Sequence, residues 1–295
     1  MKNVVADNIK AKIAEMKNLK KRIDTNCYTE NLIDKAQHVW SSNNAILFSY
    51  QDHGINRLLY YAFEFGDAAV LLQKLDKQEY LMEFLTRDAK EHRELLEAQG
   101  FQRIGKLMRI SNTDCRNVFD NPQISNLFKQ NNFQDIDKRN CLRNFDFACD
   151  DISEYFDIDA DAGQIAVSGE EHEINQVLWS VFDTRISHLL SDKEMKEAIE
   201  RREITIHRKK NGNIDAILQT VIQPQKFYIN QIYNGGSREI IHVMLLSRLK
   251  KYCDLGGKYV YAWVEEQNTA SIRFHQKYGM KHDGMWNMVY QKKEN

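Results

Sequence analysis

Apolar and polar positions along this chain follow two different periods, and the change from one to the other marks its elements. Residues 45–50 and 57–64 are apolar and aromatic runs on either side of His53-Gly54, and residues 203–209 and 214–222 flank Asn211-Gly212 in the same way. Such runs around a dipeptide that tolerates positive φ predict two β-hairpins. Apolar residues spaced three to four apart predict helices over 67–75, 171–182 and 239–255, and an amphipathic helix within 1–22 packed on the first half. Ser191 with Glu194 three residues on predicts a capped helix start. Further strands are expected at 164–167, 227–233 and 259–264.

The pattern also repeats. Residues 79–110 and 258–289 align without a gap at an offset of 179, which places Tyr80, Gly100 and Gly105 on Tyr259, Gly279 and Gly284. Both copies read as strand, helix, helix-ending glycine and strand, so the spacing predicts a duplicated α/β (α+β) fold: two tandem domains, each a mixed sheet flanked by helices. Pro122, one of only two prolines, lies amid Asn, Asp and Gln with weak periodicity. The expected division is therefore a first domain over 1–112, a connecting region over 113–160 and a second domain over 161–295.

Composition narrows the partners. With 42% hydrophobic and 28% charged residues the chain has ordinary globular proportions. Its 41 Lys+Arg against 42 Asp+Glu leave no basic excess to attract phosphate backbones, which argues against nucleic acid. No apolar run approaches the roughly 18 residues of a membrane span. The lysine-rich N-terminus breaks its apolar residues into a helical pattern unlike a secretion signal, so a cytoplasmic location is expected. Cys27, Cys115, Cys141, Cys149 and Cys253 are odd in number, scattered and without a C-x-x-C pair, the pattern of reduced structural thiols. His172, His188 and His207 stand isolated, and no metal site is expected.

From residue 164 the order of elements, together with the tail Asn268-Thr-Ala-Ser-Ile-Arg-Phe-His-Gln-Lys-Tyr-Gly-Met280, resembles the GCN5-related N-acetyltransferase (GNAT) family. The tail has the family's Asn, a small residue three on, an aromatic pair, and Gly followed by a large apolar residue. Through the repeat the first half resembles it more weakly, so the chain looks like a tandem pair of acyl-CoA N-acyltransferase folds. The resemblance implies transfer of an acyl group from acetyl-CoA or another acyl-CoA to a primary amine of a small molecule or peptide. The amine attacks directly, with neither a protein nucleophile nor a metal.

The resemblance also implies a site in the second half. Its loop for the donor pyrophosphate corresponds to Tyr233-Asn-Gly-Gly-Ser-Arg-Glu-Ile-Ile-His242, where Gly235, Gly236 and Ser237 would bring backbone N–H groups to an anion and Arg238 would pair with phosphate. Ile240 and His242 stand where the family's spaced glycines fall when Leu245 and Leu246 are matched. Ile232 and Tyr233 end the strand along which the pantetheine arm would lie. Proton handling falls to Asn268, to His275 where the family often has Tyr, and to Tyr278 three residues later. Glu265, with Glu266 beside it, is the leading base; Glu203, Tyr233 and His242 stand behind it. In the first copy the positions of Asn268 and His275 are Ala89 and Leu96, so that half reads as a degenerate copy without the site. Two other readings stay open: a donor borne by an acyl carrier protein or a tRNA, and a non-catalytic binding or scaffold protein.

Overall fold

The computed structural model describes residues 4–122, 124, 163–236 and 238–293, with the side chain of Arg238 outside that description. Cys141 and Cys149 also lie outside it, while Cys27, Cys115 and Cys253 are free and buried. The chain divides into two compact units, Met1–Leu107 with Gly284–Asn295, and Met108–Asp283. No helix among the described residues is long and apolar enough to cross a membrane.

In the first unit α1 (Val4–Asn18) is followed by β1 (Asp24–Thr25), a 3-10 turn (Glu30–Lys35), β2 (His38–Ser41), β3 (Ala45–Asp52), β4 (Ile55–Ala62) and α2 (Phe65–Leu72). Next come β5 (Tyr80–Thr86), α3 (Arg93–Ala98) and the first part of β6 (Phe101–Asn112). The predicted hairpin joins β3 and β4, with His53 and Gly54 at φ of 50° and 78°, the pair of positive φ values that lets a two-residue turn match strand twist. α1 buries Ile9, Ile13 and Met16 against Ile46, Phe48 and Tyr61 on one face of the sheet. α2 covers the other face, with Ala68, Leu71 and Leu72 on Leu58, Tyr60 and Met82.

The second unit continues β6 into a 3-10 turn (Cys115–Asp120). It then holds β7 (Gln164–Ile165), α4 (Glu171–Val181), α5 (Asp192–Glu200), β8 (Ile204–Arg208), β9 (Ile214–Gln223), β10 (Lys226–Asn234), α6 (Arg238–Asp254), β11 (Val260–Glu265), α7 (Thr269–Gln276) and the start of β12 (Lys281–Lys292). Ser191 caps α5 through the predicted reciprocal box with Glu194. α6 packs Ile241, Leu245 and Leu249 on the face carrying Phe227, Ile229 and Val260. α4 and α5 pack Ile174, Leu178 and Met195 on the opposite face, against Ile204, Ile206 and Ile217.

Both copies of the repeat form strand–helix–strand, and Gly100 and Gly279 follow their helices with φ of 82° and 66°. The long last strands are exchanged. β12, from the second copy, pairs antiparallel with β5 from Trp286 opposite Thr86 to Lys292 opposite Tyr80, inside the first unit. The end of β6, from the first copy, lies beside β11 in the second unit.

α6 closes through Gly256, at φ of 87°, with the Gly257 N–H donating 2.9 Å to the Tyr252 carbonyl. A Cβ on Gly257 would fall inside the fully buried Tyr252 ring, so Gly257→Ala is expected to lower stability by about 1–3 kcal/mol in denaturant melts.

Candidate active site

β10 and β11 run parallel, yet their ladder holds only from Phe227 opposite Val260 to Ile229 opposite Ala262. Asn230 is a bulge: the pairing of β10 with β9 jumps from Ile229–Thr220 to Gln231–Gln219. A bulge bends its strand, so β10 turns from its neighbour while both strands run on, to Asn234 and Glu265. The result is a V that opens toward their carboxyl ends, where α6 and α7 begin. That is where ligands of open α/β sheets collect and where helix N-termini present unpaired N–H groups.

Strand alternation sorts the walls. Val260, Ala262 and Val264 enter the core under α6. Tyr261, Trp263 and Glu265 point to the other face, where Tyr228 and Tyr261 stack at 4.7 Å and the Arg109 guanidinium lies 5.9 Å from the Trp263 ring.

The mouth of the V gathers part of the expected set. Ile232 packs half-buried toward α6, while Tyr233 packs toward the α4–α5 face. Glu265 is exposed at the end of β11, and its carbonyl accepts the Asn268 N–H at 2.9 Å. Asn268 caps α7, its Oδ1 accepting the Ser271 N–H at 3.0 Å. The Gly235 N–H donates 2.7 Å to the Asp215 carbonyl, and the Gly236 N–H donates 3.2 Å to Asn234 Oδ1. A Cβ on Gly235 would run into the Tyr233 hydroxyl, so a larger residue there would have to displace that ring. Ser237 and the Arg238 side chain, both expected cofactor contacts, lie outside the described residues.

His275 and Tyr278 are set deeper. His275 is 3% exposed; its Nδ1 lies 2.8 Å from the Ser271 carbonyl, and Nε2 is buried without a hydrogen-bond partner. Burial pushes its pKa down to about 4 against the support of that carbonyl. Tyr278 stands just past the end of α7, its N–H donating 2.9 Å to the His275 carbonyl. Its Oη lies 2.6 Å from His242 Nδ1 on α6. The Phe274 ring stacks on His242 at 4.7 Å, so imidazole, phenol and phenyl form one cluster joining α6 to the end of α7. Burial holds the Tyr278 phenol in its protonated form, and burial, with Lys277 nearby, pushes His242 down to about 4. His242, placed behind other base candidates by sequence, is thus the direct partner of Tyr278.

A second pair was not foreseen. His207, isolated in sequence, lies with Nδ1 2.5 Å from Asp215 Oδ1, and the Asp215 carboxylate is buried beside Gly236. The two stand on β8 and β9, four residues either side of Asn211, so the hairpin register was the signal that could have found them. Glu203, another candidate base, is tied to Arg201 at 2.9 Å.

No family model matches the chain, and no curated protein matches it. Among solved structures, a GCN5-related N-acetyltransferase from Sphaerobacter thermophilus is similar with 12% identity over 84% of this chain and 76% of that one, at a TM-score of 0.51. A tandem GNAT protein from the clavulanic acid biosynthesis pathway is 9% identical over 85% and 79% of the two chains, at 0.49. A putative acetyltransferase of the GNAT family from Novosphingobium aromaticivorans is 10% identical over 86% and 91%, at 0.46. Identities this low speak to fold alone, and on the first of these similarities the fold of this chain is that of the GCN5-related N-acetyltransferases.

Proposed function

We propose that the second unit moves an acyl group from a pantetheine thioester, with acyl-CoA such as acetyl-CoA as donor, to a primary amine by direct attack. The V between β10 and β11 carries this reading, because an amide-bearing arm can lie there as an added strand once the ladder stops at Ile229 and Ala262. The acceptor ammonium enters on the face of Tyr228, Tyr261 and Trp263, whose rings attract a cation. Glu265, on that face, takes one ammonium proton through water; the free amine forms the C–N bond, the C–S bond breaks, and the nitrogen's second proton passes to solvent, which restores the Tyr278 phenol after it has protonated the thiolate. The thiolate receives the proton of Tyr278, whose oxygen His242 holds in place. His275 is neutral at pH 7 and, with Nδ1–H on the Ser271 carbonyl, offers only an acceptor at Nε2. Asn268 fixes the start of α7 at the mouth. Gly235, Gly236, Ser237 and Arg238 meet the donor's phosphate end at the start of α6.

One observation favours a second donor. Both glycine N–H groups are already engaged and a buried carboxylate sits beside them, so a pyrophosphate would have to displace the Asn234 side chain. Phosphopantetheine on an acyl carrier protein makes no such demand. A tRNA donor is disfavoured by the net charge of −1.

Calorimetric titration of the full chain with acetyl-CoA and with S-acetylpantetheine separates these. The acyl-CoA reading expects micromolar, one-to-one binding of acetyl-CoA, weaker by about tenfold in Arg238→Ala. Equal affinity for both compounds would transfer the assignment to a carrier-borne arm. Absence of heat from either at millimolar concentration would contradict the transferase reading.

A further inference from the structure

The first unit has a V of the same kind, but it is filled. β4 and β5 pair in parallel only from Asn56 opposite Tyr80 to Leu58 opposite Met82, and then run on to Ala62 and Thr86. Into the opening comes the short segment that follows α1. Asp24 and Thr25 pair antiparallel with Ala62 and Tyr61. Asn26, only 3% exposed, spans the gap with one carboxamide: Nδ2 donates 3.1 Å to the Leu58 carbonyl of β4 and 3.0 Å to the Glu83 carbonyl of β5. Its Oδ1 accepts the Tyr60 N–H at 2.8 Å. The Thr25 hydroxyl donates 2.5 Å to the Tyr60 carbonyl, and Tyr28 Oη accepts the Leu85 N–H at 3.0 Å. The Tyr60 hydroxyl closes the set on Asp24 Oδ2 at 2.8 Å.

Parallel strands that diverge leave inward-facing N–H and C=O groups that must find partners. In β4 these are Leu58 and Tyr60; in β5 they are Glu83 and Leu85. All four find theirs on residues 25–28. In the second unit, among the described residues, β10 and β11 are direct neighbours in the sheet with no strand placed between them where their ladder ends at Ile229 and Ala262.

We infer that the first unit is an amide-binding cleft whose ligand is the chain itself, with residues 24–28 bound as an added strand and the Asn26 carboxamide bridging the diverged strands. The bound class is an extended peptide with a side-chain amide, and while it is in place the cleft admits no external arm. This inference is independent of the reaction assigned to the second unit, because its observables lie wholly in the first.

Amide hydrogen exchange on the full chain, read at single residues, tests it. The Tyr60 and Leu85 amides should be protected in the unaltered protein. Asn26→Ala should speed exchange of Tyr60 by about tenfold or more. Tyr28→Phe keeps the ring and removes only the phenol oxygen, so it should speed Leu85 and leave both Tyr60 and Ile46 unchanged. If Asn26→Ala does not fold, protection in the unaltered chain and the selective response of Leu85 to Tyr28→Phe still decide. Unprotected Tyr60 and Leu85 in the unaltered chain, or rates indifferent to both substitutions, would overturn the inference.

Discussion

Tyr278→Phe is expected to lower turnover with acetyl-CoA and the best amine acceptor about 100-fold, with little change in the donor KM. In the proposed reaction this phenol protonates the leaving thiolate, and burial keeps its proton on at neutral pH. The substitution keeps the ring in the core beside Phe274 and removes only the hydroxyl. It also leaves His242 Nδ1 without its 2.6 Å partner, which should reduce stability by about 1 kcal/mol. A residue needed only for packing would give the stability loss with turnover intact. His242→Phe separates the parts further: it keeps an aromatic stack on Phe274 and frees the Tyr278 hydroxyl, so turnover should fall while the donor KM holds. Unchanged turnover in Tyr278→Phe would remove it from the reaction.

Stability should fall steeply as the pH drops from about 6.5 to 4. His275 has an ordinary pKa of 6.5 in the unfolded chain and about 4 in the fold, where burial penalises the imidazolium. Between those values the unfolded state holds more protons, so acid favours unfolding; the stability is full above pH 6.5 and is lost as the pH falls toward 4. A gap of about 2.5 pH units at about 1.4 kcal/mol each corresponds to about 3.5 kcal/mol. His242 adds a smaller effect of the same sign, because it is only half-buried. Denaturant melts at pH 7 and pH 4.5 should show the loss, and His275→Leu should flatten it. An unaltered pH profile in that variant would mean that the buried Nε2 is not the titrating group.

Much of the fold was written in local pattern. The Asn211-Gly212 and His53-Gly54 turns have few conformational alternatives, the Ser191–Glu194 box is a contiguous signal, and the repeat spacing from Tyr to Gly to Gly fell on matching strands, helices and turns. Exchange of β6 and β12 was not legible, because alternation says which face a strand buries and nothing about its neighbour. The segment holding Asn26 was missed for a different reason. Its two-residue strand is too short to show a period, and its hold on β4 and β5 comes from side-chain amide and hydroxyl groups. At the candidate site, the tail pattern singled out Asn268, His275 and Tyr278. The pairing of Tyr278 with His242 spans 36 positions, and only the crossing of α6 with the end of α7 creates it.

Hydrogen exchange of the full chain with and without saturating acetyl-CoA bears most directly on the central claim, that the open V of the second unit takes the donor while the V of the first is already occupied. New protection is expected across Asn230–Asn234 and Trp263–Glu266, with Tyr60 and Leu85 unchanged. Protection gained instead at the first unit's strands, or at neither pair, would contradict it.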